Sequence, residues 1–139
     1  MNSVANLKNG DIMAETKWTS SEVDPKREYL AFTEIGERAS LRSYFSILKR
    51  ARKVAQQLKT AKGVIAFVAQ LSFLSKKIGM VAVFEDEKSL MEFAHVGQHA
   101  QCMKQFKAGT KFQRAKWSIS GSNVPPTFED AMSRIQTKK

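Results

Sequence analysis

The 139-residue sequence predicts an α+β fold: four antiparallel strands, helices between them and a further helix near the C-terminus. Three observations predict it. Apolar residues switch between a period of two and a period near 3.6 along residues 27–136. The segments follow the order strand, helix, strand, strand, helix, strand. Turn and capping residues separate them. A hydrophobic content of 42% with 26% charged residues is globular composition, neither disordered nor membrane-like.

The first strand is REYLAFTEI (27–35), with Tyr29, Ala31 and Ile35 on one side and Leu30 and Phe32 on the other. Ser40 is a suitable N-cap for the helix that follows. In that helix Leu41, Tyr44, Phe45, Leu48, Ala51, Ala55 and Leu58 recur at steps of three or four, and Lys62-Gly63 closes it. Val64 to Phe73 and IGMVAVF (78–84) form a hairpin about the polar turn Ser75-Lys76-Lys77. Asp86, Glu87, Lys88 and Ser89 open a second helical region, with acids at its positive end. Its apolar stripe, Leu90, Phe93, Ala94 and Gly97, changes side at Cys102, Met103 and Phe106, so a break near Val96-Gly97 is expected. KFQRAKWSI (111–119) is the fourth strand. Pro125-Pro126 leads into a last helix with Phe128, Ala131, Met132 and Ile135 at helical spacing. This is the ferredoxin-like split βαβ order. Residues 1–26 hold few large apolar side chains and no sustained period, so they are expected as an extended or poorly ordered segment before a domain of residues 27–139.

Two helices cover one face of such a sheet, yet Val64 to Ala69 and Ile78 to Phe84 are apolar on both sides. Something must cover the second face. A second copy of the chain, packed sheet to sheet as a homodimer, is the simplest cover; the N-terminal segment or the last helix is the alternative.

The longest apolar stretch, Gly63 to Leu74, is too short for a membrane span. The N-terminus lacks the apolar core of a secretory signal, so a cytoplasmic protein is expected. Cys102 is the single cysteine, which excludes a Cys-rich zinc site and an internal disulfide. No Gly-x-Gly-x-x-Gly, P-loop, Gly-x-Ser-x-Gly or His-Glu-x-x-His motif occurs. Glu92, His95, His99 and Cys102 have the spacing of one helical face, but the expected break separates them, and no metal site is assigned. His99 remains the candidate for chemistry: imidazole serves as general base, proton shuttle or iron ligand near neutral pH, or merely bonds a helix end.

The net charge is +10; three lysines against four acids leave residues 1–26 at −1 and the body at +11. A basic βαββαβ domain raises the possibility of RNA recognition, which stacks bases on aromatics of the central strands. KIGMVAVF (77–84) has Gly79 and Val81 at the stacking positions, so nucleic acid is not the expected partner. The cations at Lys49 to Lys53, Lys104, Lys107, Lys111, Arg114 and Lys116 read as solvated surface or as a rim that steers an anionic molecule.

The runs VAVFEDEKSLMEFAHVGQHAQCMKQF (81–106) and KWSISGSNVPPTFEDAMSRI (116–135) resemble proteins similar to spheroidene monooxygenase and the antibiotic-biosynthesis-type monooxygenases. The shared pattern is a strand ending in a Trp- or Phe-containing bend, then acidic-Ser-Leu, Phe-Ala and Gly-x-His, over roughly residues 28–136. The resemblance implies a dimeric α/β barrel with a small-molecule pocket between sheet and helices. It also implies oxidation without a metal in some members and haem binding in others. His99 matches the Gly-x-His position, and Phe84 stands where relatives often have Trp. The expected pocket is lined by Phe32, Tyr44, Phe67, Phe93 and Trp117, with His99 as polar anchor. The expected function is small-molecule binding, with monooxygenase-like oxidation of a hydrophobic substrate. A non-catalytic binding or scaffold protein and an RNA-binding module are the alternatives.

Overall fold

A computed structural model of the chain describes residues 2–8, 11–38, 40–72, 75–95, 97–106 and 110–137. Six strands form one antiparallel sheet: β1 (Asn2–Lys8), β2 (Asp11–Thr19), β3 (Glu28–Arg38), β4 (Val64–Ser72), β5 (Lys77–Phe84) and β6 (Thr110–Ser120). The helices are α1 (Leu41–Thr60), α2 (Glu87–His95), α3 (Gln98–Phe106) and α4 (Phe128–Thr137). The sheet order is β1-β2-β4-β5-β3-β6. Its last four strands, with their helices, have the ferredoxin-like arrangement the periodicity predicts.

The N-terminal segment, expected as extended or poorly ordered, supplies a hairpin to this same sheet. β2 pairs with β4 from Met13↔Ser72 to Thr19↔Ala66, and Trp18 stacks on Phe67 with ring centroids 6.0 Å apart. No sequence period announces β2, because backbone pairing holds it and Trp18 is its one large aromatic. Glu15 and Lys17 instead form an ion pair at 3.2 Å, and Gln70 donates to Glu15 at 2.6 Å.

Each face of the sheet carries its own core. On one, Phe67, Ala82 and Phe84 pack with Val54 and Leu58 of α1, Leu90 and Phe93 of α2 and Cys102 of α3. On the other, Tyr29, Ala31, Ile35, Val81, Val83, Ala115, Trp117 and Ile119 pack with Ala131 and Ile135 of α4, flanked by Val23, Val124, Phe128 and Met132. The last helix, one of the covers expected for this face, lies on it. The apolar second face is packed by the last helix and the segment before β3, within one chain. α4 starts well for this role: Thr127 accepts from the Asp130 N–H at 3.1 Å, and its apolar stripe faces the sheet. An added Cβ at Gly79 would lie 2.3 Å from Phe128, so this glycine lets α4 sit close. The strand where an RNA-binding domain needs an aromatic is thus under a helix.

A bulge between Val64 and Ala66 breaks the alternation expected for β4. Ile65 and Ala66 both join the α4-side core, while Val64 and Phe67 join the α1-side core. The helical region breaks where expected. Gly97 takes a φ of +79° between α2 and α3, a conformation that favours glycine. Gln57 of α1 fixes the corner by accepting from the His99 N–H at 2.9 Å.

Candidate functional site

A cavity of about 90 Å³ lies between the sheet and α1 and α3. α1 contributes Ala51, Val54, Ala55 and Leu58, and the strands contribute Gly36, Phe67, Ala69, Leu71, Ile78, Gly79, Met80 and Phe112. The wall is apolar except at Glu34 and His99, with the Cys102 thiol beside them.

Glu34 projects from β3 onto the face shared by Leu30 and Phe32, into an apolar core. A carboxylate survives there only with partners. His99 Nε2 lies 2.9 Å from Glu34 Oε1, and Arg114 Nε donates to Oε2 at 2.6 Å. The Arg114 guanidinium reaches in from the rim over the Phe112 ring, 5.1 Å from its centroid. Burial alone would raise the Glu34 carboxyl. The hydrogen bonds and charges of His99 and Arg114 outweigh it and hold the group below its ordinary value of 4.5. Glu34 is therefore an ionised carboxylate facing an apolar cavity, with two of its roughly four lone-pair positions occupied.

His99 is buried, its ring 4.6 Å from that of Phe93. Nδ1 is 3.2 Å from the Ala94 carbonyl and Nε2 faces Glu34. Each ring nitrogen thus faces an oxygen acceptor within hydrogen-bond distance. In this arrangement Nε2 holds Glu34 Oε1, and the ring joins the carboxylate in one hydrogen-bonded cluster. Cys102 is a poor nucleophile: burial, then the Glu34 charge, push its thiol up.

The expected pocket residues separate. Phe67 and His99 line the cavity. Phe93 contacts His99, and Phe32 packs on the same face without lining it. Tyr44 is buried on α1 away from the cavity, its phenol pushed up to about 12 by burial. Trp117 lies on the opposite face, beside a groove formed with Pro125, Pro126 and Arg134. Glu34 and Arg114 were missed as site residues. One signal was present: Glu34 continues the Leu30, Phe32 alternation, placing an acid on a helix-covered face.

The residues do not fit haem. Both His99 nitrogens face oxygen acceptors within the chain, His95 is exposed at the end of α2, and the cavity is far smaller than a macrocycle. Glu92 and His95 are exposed while His99 and Cys102 are buried, so the four do not assemble. Among the described residues, no three of His, Cys, Asp and Glu gather as metal ligands.

No protein-family model matches the sequence, and no curated protein matches it. Solved structures do. A candidate monooxygenase from Fusobacterium nucleatum superposes with a TM-score of 0.63 at 10% identity, over 76% of this chain and 49% of that one. The chain thus spans about half the length of that protein. A candidate antibiotic biosynthesis monooxygenase from Nitrosomonas europaea gives 0.55 at 11% identity, over 73% and 96% of the two chains. SnoaB, a cofactor-independent oxygenase from Streptomyces nogalater, gives 0.54 at 9% identity, over 73% and 100%. The chain has the ferredoxin-like α+β fold of these oxygenase-type proteins. At such identities the likeness is one of fold.

Proposed function

We propose that the cavity binds a small hydrophobic molecule carrying a hydroxyl or similar donor, and that the protein is a monooxygenase-like oxidoreductase acting on it. One observation carries this reading: an ionised carboxylate, Glu34, stands with His99 in a cavity whose other walls are largely apolar, with acceptor capacity to spare. The cavity is smaller than the roughly 150 Å³ that accommodates benzene in an engineered core. It suits a single ring with slight widening, or the end of a longer molecule.

Glu34 would accept the donor hydrogen and orient the ring against Phe67 and Met80. Oxidation would couple transfer of the hydroxyl proton to Glu34 with passage of one electron from the ring to dioxygen, leaving a phenoxyl radical, superoxide and a protonated Glu34. Until then His99 and Arg114 keep the carboxylate ionised and aimed. The fold shared with a cofactor-independent oxygenase supports this reading. A binding protein without turnover is the second reading, favoured by the hydrogen-bond partners that both His99 nitrogens already have within the chain.

The test is dioxygen uptake by the purified protein with a panel of hydroxylated aromatics. The expected result is saturable uptake that falls by about 10² or more in Glu34→Gln. Saturable binding without uptake selects the second reading. Neither binding nor uptake overturns both.

A further inference from the structure

Helix α1 has a second surface, facing away from the cavity. Six of its 20 residues are basic, Arg42, Lys49, Arg50, Arg52, Lys53 and Lys59, and none is Asp or Glu. At 100° per residue these cations fall within about half of the helix circumference. The other half carries Tyr44, Val54 and Leu58 into the core. Five acids form ion pairs with cations outside α1: Glu15 with Lys17, Glu34 with Arg114, Glu85 with Arg27, Glu87 with Lys116 and Asp130 with Arg134. With six cations and no acid of its own, α1 concentrates positive charge on one face. Inside the cationic arc stands Phe45, 54% exposed, one turn from Arg42 and from Lys49. Beside it Ser46, Lys49, Arg50 and Lys53 border a recess of about 240 Å³.

We infer that this face of α1 docks on an anionic phospholipid surface. The recess receives a headgroup phosphate, and Phe45 enters the interface between headgroups and acyl chains. Lys and Arg side chains supply attraction to anionic headgroups, and an aromatic at their centre supplies apolar burial. Nucleic acid is the competing polyanion. It is disfavoured because single strands bind on platforms of several aromatics, whereas Phe45 is the one exposed aromatic among the described residues. The sheet surface that stacks bases in related topologies lies under helices here. The inference does not depend on what fills the cavity.

The experiment is co-sedimentation of the full chain with vesicles of phosphatidylcholine alone, or of equal parts phosphatidylcholine and phosphatidylglycerol. Binding is expected only to the anionic vesicles and to weaken with added salt. Lys49→Glu combined with Lys53→Glu should weaken it at least about tenfold. Phe45→Ser should weaken it while preserving the salt dependence. Phe45→Trp should retain binding and show a blue-shifted emission on anionic vesicles. Unchanged melting temperatures show that these surface variants fold. Four results would overturn the inference: no vesicle binding, equal binding to neutral vesicles, tighter binding to single-stranded RNA, or a self-associated form that Phe45→Ser dissociates.

Discussion

Glu34 shows how one side chain can be costly alone and useful in company. Its carboxylate is tolerated in the core because His99 and Arg114 meet its two oxygens at 2.9 and 2.6 Å. Glu34→Gln removes the charge but not the shape, and should cost about 1.5–3 kcal/mol in urea unfolding at pH 7. The pH dependence has a definite sign. A carboxyl held below its ordinary 4.5 contributes stability above that value and loses it as pH falls through the lower folded value. The gap between wild type and Glu34→Gln should therefore narrow below about pH 4.5. Tyr44 has the opposite sense. Its phenol is raised to about 12, so the folded state is penalised as pH climbs from 10 towards 12. In a Tyr29→Phe background, the single remaining tyrosine should ionise near pH 12 by ultraviolet titration. Cys102 should resist thiol reagents at neutral pH until denaturant is added, since burial disfavours its thiolate. Much of this was legible in part: the Gly-x-His pattern drew attention to His99, and strand alternation put Glu34 on the inner face. The partners of the ring nitrogens were not legible, because Ala94, Glu34 and Arg114 meet His99 and each other only after folding.

The elements followed the sequence closely wherever one side of a segment was apolar. α1, the β4–β5 hairpin and the break at Gly97 are set by periodicity and by a residue that tolerates positive φ. Where backbone pairing or an irregularity decides, side-chain pattern is silent. The β1–β2 hairpin escaped for that reason, and the bulge at Val64–Ala66 turned Ile65 and Ala66 to one face. Trp117 was placed in the pocket because a single strand does not reveal which of its faces meets which helix. At this scale, Gly79→Val tests how closely α4 sits on β5. Its Cβ would meet Phe128 at 2.3 Å and Ile35 at 3.3 Å. Overpacking of this kind should lower stability by about 1–3 kcal/mol, read from the urea midpoint at unchanged slope.

In the whole molecule, one sheet separates two cores with different duties. The α4 side carries an apolar core under the last helix, whereas the α1 side contains the cavity with Glu34 and His99 in its wall. The apolarity that argued for a partner subunit is largely satisfied within the chain. Deleting residues 126–139 should uncover Tyr29, Ile35, Val81 and Trp117 and make the protein bind hydrophobic dyes and self-associate in sedimentation. No helix among the described residues is long and apolar enough to cross a membrane. The cavity makes the sharpest demand, because its shape accepts an apolar ring and its carboxylate selects a donor. Calorimetric titration with phenol and with toluene, which share size but differ in the hydroxyl, isolates that selection. The structure predicts that phenol binds at least about tenfold more tightly than toluene, and that Glu34→Leu removes the difference. Equal affinity for the two, or a preference that survives in Glu34→Leu, would contradict a site organised around Glu34.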